Sequence, residues 1–373
     1  MGYSMDIKKY PYLDALKGLA ILAVVLVHSS QYAVPTNELL NRIMKKGMLG
    51  VQLFFIVSAI AICMSWYSKM ASERFPKLNF YLKRVFRIAP LFYLAIVIFL
   101  ILNGLKPRYS APMGVNRWDI FLTATFLHGF NPLTINSLVP GGWSIANEAF
   151  FYLLVPFLLS EVRSPVFAIL MFFSSLWILK MSEPFIMGLF NYPVNQQYLV
   201  RDFCYLNFLA QFPVFLIGII TFCFLKNGIR KVRFYWIGGF IFIITVFRSY
   251  LPFGSPLFMP QWVVDAIAIS IFVMFLSLHQ VVIFVNFVTV KLGRQSYGIY
   301  LFHFAIIYLF QKIGLTQYLT GSNFGSLVHF ILLVAVSFSV ASFIHVLIEE
   351  PGIKLGNWFI QRVTLKLKSL GYE

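Results

Sequence analysis

The sequence predicts an all-α integral membrane protein, built as a bundle of about ten membrane-spanning helices. Two observations predict it. Of the 373 residues, 60% are hydrophobic and only 12% are charged, whereas a soluble domain carries about 25% charged residues. Nearly uncharged apolar runs also recur along the chain. Because a backbone in lipid must satisfy its own hydrogen bonds, such a run crosses the hydrocarbon core as a helix.

Ten apolar segments are the predicted membrane spans. The eighth is longer than one crossing needs, which predicts a tilted helix or a break near His279-Gln280. An even number of spans places both ends of the chain on the same side of the membrane. The predicted spans are residues 13–33, 48–67, 86–103, 143–159, 164–180, 204–225, 234–250, 262–289, 296–313 and 326–347.

The net charge of +17 is distributed unevenly along the chain. Because short cytoplasmic connections carry an excess of Lys and Arg, the basic clusters predict the cytoplasmic face and place both termini there. The connection that carries Arg42, Lys45 and Lys46 departs from this pattern. Charges confined to short connections between spans indicate contact with the lipid bilayer and argue against nucleic acid as a partner. The basic clusters are Lys69–Arg87, Lys226–Arg233, Lys291–Arg294 and Lys354–Lys368.

The chain is predicted to form one transmembrane domain over residues 1–350, followed by a short basic cytoplasmic tail over 351–373. The first apolar segment carries Asp14 and Lys17 and lacks a small-residue cleavage site, so we expect no cleavable signal peptide. The three cysteines have neither the spacing of metal ligands nor that of a disulfide framework, and no metal site is expected. They are Cys63, Cys204 and Cys223.

Ionisable side chains in membrane spans are costly and therefore indicate functional sites. In the first span, Lys17 and His28 are eleven residues apart, which places them on nearly the same helix face about 16 Å apart along the axis. Asp14 lies near the same stripe. This spacing predicts a lysine at the cytoplasmic rim and an imidazole in the outer half of the bilayer. A snorkelling lysine together with a structural histidine is the alternative.

The third span opens with two arginines, Arg84 and Arg87, which share a helix face at the cytoplasmic rim. Paired guanidinium groups suit phosphate oxygens, because each offers a planar fork of N–H donors. The pair therefore predicts a phosphate-binding mouth. The alternative is that the arginines only fix the orientation of the helix.

The fourth and ninth spans add further polar groups. Glu148 lies about one turn inside the outer end of its span, with Tyr152 one turn further on the same face. Since His28 should lie at a similar depth, the two form a candidate acid–base couple. Ser296, Tyr300 and His303 follow i, i+4, i+7 spacing and line one stripe of the ninth span. Polar contacts that only join helices are the alternative for both spans.

Several motifs, in order along the chain, resemble those of the acyltransferase-3 family of integral membrane proteins, which acylate O-antigens, exopolysaccharides and lipids. The resemblance covers about residues 10–350. Lys17 stands where arginine is common in the family, and Ser58-Ala59-Ile60 stands where Ser-Gly-Phe is usual. The matching elements are LDALKGLAILAVVLVH, which ends at His28, GVQLFFIVSAI, which carries Ser58, the Arg84-x-x-Arg87 pair, WSIANEAFFY, GRQSYGIYLFH and Ile348-Glu349-Glu350-Pro351.

The resemblance implies a multi-pass O-acyltransferase of the bacterial inner membrane. It would transfer an acyl group, with acetyl-CoA as the donor, to a hydroxyl of a cell-surface polysaccharide, O-antigen or glycolipid. His28 and Glu148 are the expected catalytic residues, and both direct proton removal by His28 and an acyl-histidine intermediate remain open. The residues expected to bind donor or substrate are Asp14, Lys17, Ser58, Arg84, Arg87, Trp143, Ser144, Tyr152, Ser296, Tyr300 and His303.

Two other functions fit parts of the pattern. A transporter or flippase of a polar or lipid-linked substrate would also carry ionisable groups within its spans, for proton coupling. The spans show no interrupted pair repeated between two halves, as many transporters do. A helper subunit that passes acyl groups to a separate enzyme is the third reading.

Overall fold

The computed structural model describes residues 10–70, 72–161, 164–226 and 259–370. Within these ranges the chain is α-helical without strands, apart from one isolated bridge between Arg108 and Ala111. This confirms the all-α prediction. The predicted span over 234–250 lies outside the described residues.

The α-helices differ widely in length. They are α1 Pro11–Tyr32, α2 Glu38–Lys45, α3 Leu49–Lys69, α4 Pro76–Asn103, α5 Arg117–Ala124, α6 Gly142–Glu161, α7 Pro165–Leu189, α8 Gln197–Leu206, α9 Phe208–Lys226, α10 Gln261–Leu278, α11 Phe287–Arg294, α12 Ser296–Lys312, α13 Leu315–Leu319, α14 Asn323–Ile344 and α15 Glu350–Ser369.

Eight helical segments in the described ranges are long and apolar enough to cross a membrane. The chain is therefore a multi-pass membrane protein. The predicted eighth span ends at Leu278, so the break expected near His279 is confirmed. The predicted ninth span corresponds to α12, which has 17 residues. The eight segments are Pro11–Tyr32, Glu38–Lys69, Pro76–Asn103, Gly142–Ser160, Pro165–Leu189, Val194–Lys226, Gln261–Leu278 and Asn323–Ser369.

The order of the crossing helices defines two faces of the bundle. The described part of the connection between α3 and α4, residues 70 and 72–75, lies on what we term the basic face, with Lys69 and Lys83 beside it. Since α4 crosses away from this face, the connection over 104–141 lies on the opposite face. Helix α6 returns and α7 crosses again, so residues 190–196 also lie on the opposite face.

Helices α1 and α11 pack with their backbones in contact. A Cβ added to Gly18 would lie 1.9 Å from the carbonyl oxygen of Thr289, and one added to Gly293 would lie 1.7 Å from that of Asp14. Only glycine allows this approach. The contact also brings the Asp14 carboxylate within 3.3 Å of the Arg294 guanidinium.

The C-terminal helices form one continuous helical segment. Helices α14 and α15 are joined by a π-helical turn, His345–Glu349, and together span 47 residues. At 1.5 Å per residue this is about 70 Å, more than twice the thickness of a hydrocarbon core. Helix α15 lies against α4, where Gly352 contacts Pro90 and Gly356 contacts Phe86. Residue 350, where the sequence predicts the end of the transmembrane domain, is the first residue of α15.

Candidate active site

A cavity of about 470 Å³ extends from the connection between α3 and α4 to the start of α6. Its size is in the range of ordinary ligand pockets, about 300–1,000 Å³. Helices α1, α3, α4, α6, α12 and α15 all contribute to its wall. Of the residues expected from sequence to bind donor or substrate or to act in catalysis, the structure brings together Lys17, Ser58, Arg84, Arg87, Ser144, Glu148, Tyr152, Ser296 and Tyr300.

The charged lining of the cavity is strongly unbalanced. Five basic and two acidic side chains line it, and these are Lys17, Lys69, Lys83, Arg84, Arg87, Glu73 and Glu148. At the basic face Glu73 forms a 2.6 Å ion pair with Lys83. Burial alone would raise the pKa of Glu73, but hydrogen bonds from Lys83 and Asn79 outweigh it and hold the pKa below its usual value. The net positive charge that remains suits an anionic ligand.

Glu148 is the acceptor at the centre of the cavity. It receives hydrogen bonds of 2.5 Å from the Ser58 and Tyr152 hydroxyls. The Arg84 guanidinium lies over the Tyr152 ring, 5.3 Å from its centroid, and at the same distance from the Phe80 ring. Glu148 thus shares the cavity with Lys17, Arg84 and Arg87. This placement fits a carboxylate that fixes the cations of the cavity.

Tyr300 lies at the inner end of the cavity, next to the start of α6. Its hydroxyl accepts a 2.7 Å hydrogen bond from Ser144 and donates to the carbonyl of Gly141 at 3.0 Å. Gly141 has φ of +77°, which favours glycine, and a Cβ there would lie 3.0 Å from the Tyr300 hydroxyl. The helix start is therefore bonded directly to α12.

The histidines lie beyond Tyr300 rather than in the cavity. His303 is fully buried, and its Nδ1 donates to the carbonyl of Tyr300 at 2.7 Å. Its ring centroid lies 5.2 Å from that of His28. His28 Nδ1 bonds to the Gln31 amide oxygen at 2.9 Å. Because amide and carbonyl oxygens only accept, both rings carry the proton on Nδ1 and keep Nε2 as the acceptor.

The structure does not join His28 to Glu148. The hydrogen bonds of Glu148 go to Ser58 and Tyr152, whereas His28 contacts Gln31, His303 and Phe304. The two side chains do not meet, although the sequence places them at a similar depth. His28 points from α1 toward α12, whereas Glu148 points from α6 toward α3.

Two further expected residues lie outside the cavity lining. Trp143 packs edge-on against Phe55, with ring centroids 6.1 Å apart, and is nearly buried. Asp14 is paired with Arg294 at the basic face. Both hold helices together in this arrangement.

Other lining residues were not selected from the sequence. Tyr297, whose hydroxyl donates to the carbonyl of Ile88 at 2.9 Å, lies between the predicted residues Ser296 and Tyr300 in the sequence. Lys69 and Lys83 belong to a basic cluster that predicts only the orientation of the chain in the membrane. The closeness of Lys83 to Arg84 in the sequence is the signal that could have placed it in the site. The contribution of α15, through Ile353, Gly356 and Asn357, has no signal in the sequence. In the described ranges, no three His, Cys, Asp or Glu side chains converge as metal ligands.

Crossing helices around a cavity with excess positive charge define a polytopic membrane protein. The chain belongs to the acyltransferase-3 family, whose model, described as an acyltransferase domain, matches residues 10–346. The resemblance seen in the motifs is thereby confirmed. This membership favours acyl transfer over the transporter reading.

Curated relatives come from Staphylococcus aureus. The chain is 24% identical to "Putative O-acetyltransferase SACOL0978" of strain COL over 93% of this chain and 58% of that protein. It is 24% identical to "O-acetyltransferase OatA" of strain NCTC 8325 over 80% of this chain and 50% of that protein. The chain thus spans between half and three-fifths of the length of the curated relatives it matches. No solved structure matches it.

Proposed function

We propose that the protein is a membrane O-acyltransferase that moves an acetyl group from acetyl-CoA to a hydroxyl of a cell-surface polysaccharide, O-antigen or glycolipid. The single observation that carries this proposal is the cavity with five basic side chains, whose inner end at Tyr300 leads to His303 and His28. Family membership and the printed names of the relatives support O-acetyl transfer. A bacterial inner membrane is the location that this activity favours.

The donor would bind from the basic face. Lys17, Arg84 and Arg87 would hold the phosphate groups of coenzyme A, because guanidinium forks and an ammonium group match phosphate oxygens. Lys69 adds positive charge near the mouth. The apolar part of the wall, which includes Phe54 and Phe80, would accompany the pantetheine arm inward. The thioester would then lie near Tyr300 and Ser144.

The reaction needs a base next to the thioester. His28 Nε2 would take the proton of the acceptor hydroxyl as its oxygen attacks the acyl carbon. As the new C–O bond forms, the C–S bond breaks, and the proton passes from His28 to the leaving thiolate. Coenzyme A then leaves as the thiol. His303 would hold the imidazole of His28 in place through its ring contact.

Glu148 would act on the donor site rather than on the base. It accepts hydrogen bonds from Ser58 and Tyr152 and lies near Arg84, which contacts the same tyrosine. A carboxylate in this position lowers the repulsion among the cations before the donor arrives. We therefore assign it as a positioning residue for Lys17 and Arg84.

The test uses a host that lacks the protein, complemented with the wild type, His28→Ala or His279→Ala. Mass spectrometry of surface glycans and glycolipids should show acetyl groups with the wild type and none with His28→Ala. His279→Ala is the matched control, since this histidine ends α10 outside the site. Purified wild type should also release coenzyme A from acetyl-CoA. A wild type that neither releases coenzyme A nor changes the surface would overturn the proposal.

A further inference from the structure

Two segments of the opposite face meet at a pair of stacked tyrosines. Tyr109, in the connection after α4, and Tyr198, on α8, have ring centroids 4.5 Å apart and planes inclined by 28°. The Tyr198 hydroxyl donates to the carbonyl oxygen of Tyr109 at 2.5 Å. Tyr109 is 71% exposed. One face of its ring is therefore covered by Tyr198, and the other is open to water.

The exposed tyrosine is held in place by its neighbours. Arg108 donates from its guanidinium to the carbonyl of Ser137 at 2.6 Å and to that of Gly104 at 3.2 Å. Arg108 and Ala111 also exchange two backbone hydrogen bonds, of 3.0 and 2.9 Å, which close the turn that carries Tyr109. An aromatic ring fixed in this way loses little conformational entropy when a ligand stacks on it.

A carboxylate and a guanidinium accompany the rings. Arg201 and Asp202 follow Tyr198 by three and four residues on α8, so they share its side of the helix. Both are exposed, and their charges lie close enough to act on the Tyr109 phenol. The surface thus combines an open aromatic face with a hydrogen-bond donor and an acceptor.

The turn that carries Tyr109 and the helix α8 that carries Tyr198 are both hydrogen-bonded to residues in or just before the start of α6. Ser137, which Arg108 binds, lies four residues before Gly141, the residue that accepts from Tyr300. On the other side, Asn147 donates to the carbonyl of Leu206, the last residue of α8, at 2.7 Å. The tyrosine pair is therefore fixed to the segment that closes the inner end of the cavity.

We propose that Tyr109 and Tyr198, with Arg201 and Asp202, form a saccharide subsite that binds a pyranose ring of the acceptor. This inference rests on the proposed function. The apolar face of a pyranose presents C–H bonds with slight positive charge, which suit the negative face of an aromatic ring. Its hydroxyl groups, at the ring edge, would exchange hydrogen bonds with Asp202 and Arg201. An aromatic side chain that only anchors the protein at the membrane interface would not require this pair of charges.

The experiment measures the reaction of the donor and the use of the acceptor in separate assays. Purified wild type, Tyr109→Ala, Tyr109→Trp and Tyr318→Ala are first assayed without acceptor for coenzyme A release by hydrolysis, in which water replaces the acceptor hydroxyl in the attack on the acyl carbon. They are then assayed for acetyl transfer to the glycan fraction of a host that lacks the protein, over a range of glycan concentrations. Tyr318 is the matched control, because it is 85% exposed and lies on α13, which carries none of the four subsite residues.

We expect Tyr109→Ala to raise the KM for the glycan about tenfold, the size of a lost aromatic contact. Coenzyme A release and kcat should stay at the wild-type level, and Tyr109→Trp should restore KM. An unchanged KM in Tyr109→Ala would overturn the subsite, as would an equal loss of both activities, which indicates an interfacial anchor only. If the wild type releases no coenzyme A and transfers nothing, the proposed function itself fails.

Discussion

The imidazole rings of His28 and His303 lie 5.2 Å apart on α1 and α12. His303 is bonded through Nδ1 to the backbone of its own helix at Tyr300, and the same tyrosine closes the inner end of the cavity. The two histidines thus lie next to the inner end of the cavity rather than in its lining. In the proposed reaction, the cavity binds the donor and the histidines meet the acceptor.

Replacing His28 should therefore separate chemistry from donor binding. We expect His28→Ala to slow acetyl transfer by about 10²- to 10⁴-fold, the usual contribution of a general base. The Kd for coenzyme A should stay unchanged, because His28 does not line the cavity. Single-turnover rates and calorimetric titration with coenzyme A measure the two effects. A Kd that rises as much as the rate falls would contradict this division.

Replacing Arg84 should have the converse effect. Arg84→Lys keeps the charge but loses the planar fork of donors, so we expect the Kd for coenzyme A to rise about tenfold. The rate at saturating donor should change little. Arg42→Lys is the matched control, since Arg42 lies on α2 at the opposite face. Equal Kd values for the two variants would exclude Arg84 from phosphate binding.

Hydropathy predicts the membrane-spanning helices, and the polar motifs predict most of the side chains that line the cavity. Both patterns indicate how deep a residue lies in the membrane. The depth of Lys17, Arg84 and Arg87 along their helices was enough to bring them to one cavity. To predict whether His28 meets Glu148, one must know how α1 and α6 are rotated about their axes. The sequence of a single span does not give this rotation. The place of α15 beneath the cavity depends on Gly352 and Gly356 meeting α4, a contact between segments more than 250 residues apart in sequence.

The glycine contact between α1 and α11 should be essential for folding. A Cβ at Gly293 would lie 1.7 Å from the carbonyl oxygen of Asp14, so Gly293→Ala forces the helices apart and should cost about 3 kcal/mol or more. Gly188→Ala is the control, because nothing lies within 4 Å of a Cβ there. Fluorescence size-exclusion profiles and Tm in detergent report the difference. If the two variants are equally monodisperse and equally stable, the α1–α11 contact accommodates a Cβ at little cost and the prediction is wrong.

Protonation of His128 should destabilise the protein in mild acid. This histidine lies in the connection before α6, and burial lowers its pKa to about 4, despite the hydrogen bond to the carbonyl of Gly142. Between pH 6.5 and about 4 the unfolded chain binds a proton that the folded chain does not. The free energy of unfolding should therefore fall as pH decreases through this window.

The variant His128→Gln isolates this effect, because glutamine can still donate to Gly142 but does not titrate. We expect the Tm of the wild type to fall more steeply from pH 7 to pH 5 than that of the variant. The corresponding difference in the free energy of unfolding is at most about 1.4 kcal/mol per pH unit. Parallel curves would mean that another group controls the acid response.

Glu148 gives the sharpest test of how the cavity is organised. Glu148→Gln keeps an acceptor for Ser58 and Tyr152 but removes the negative charge that lies among Lys17, Arg84 and Arg87. With this charge removed, the repulsion among the cations should lower the stability of the free protein. Since coenzyme A brings its own negative charge, saturating coenzyme A should raise the Tm of the variant more than that of the wild type.

Tyr152→Phe is the control for the hydrogen bond alone, and we expect it to cost only about 1 kcal/mol without changing the response to coenzyme A. The rate of acetyl transfer in Glu148→Gln should remain within about tenfold of the wild type once donor is saturating. A variant with an unchanged Tm and a rate as low as that of His28→Ala would instead assign Glu148 to the proton transfer. The helices would then have to rotate during the reaction, because in this structure Glu148 and His28 face different neighbours.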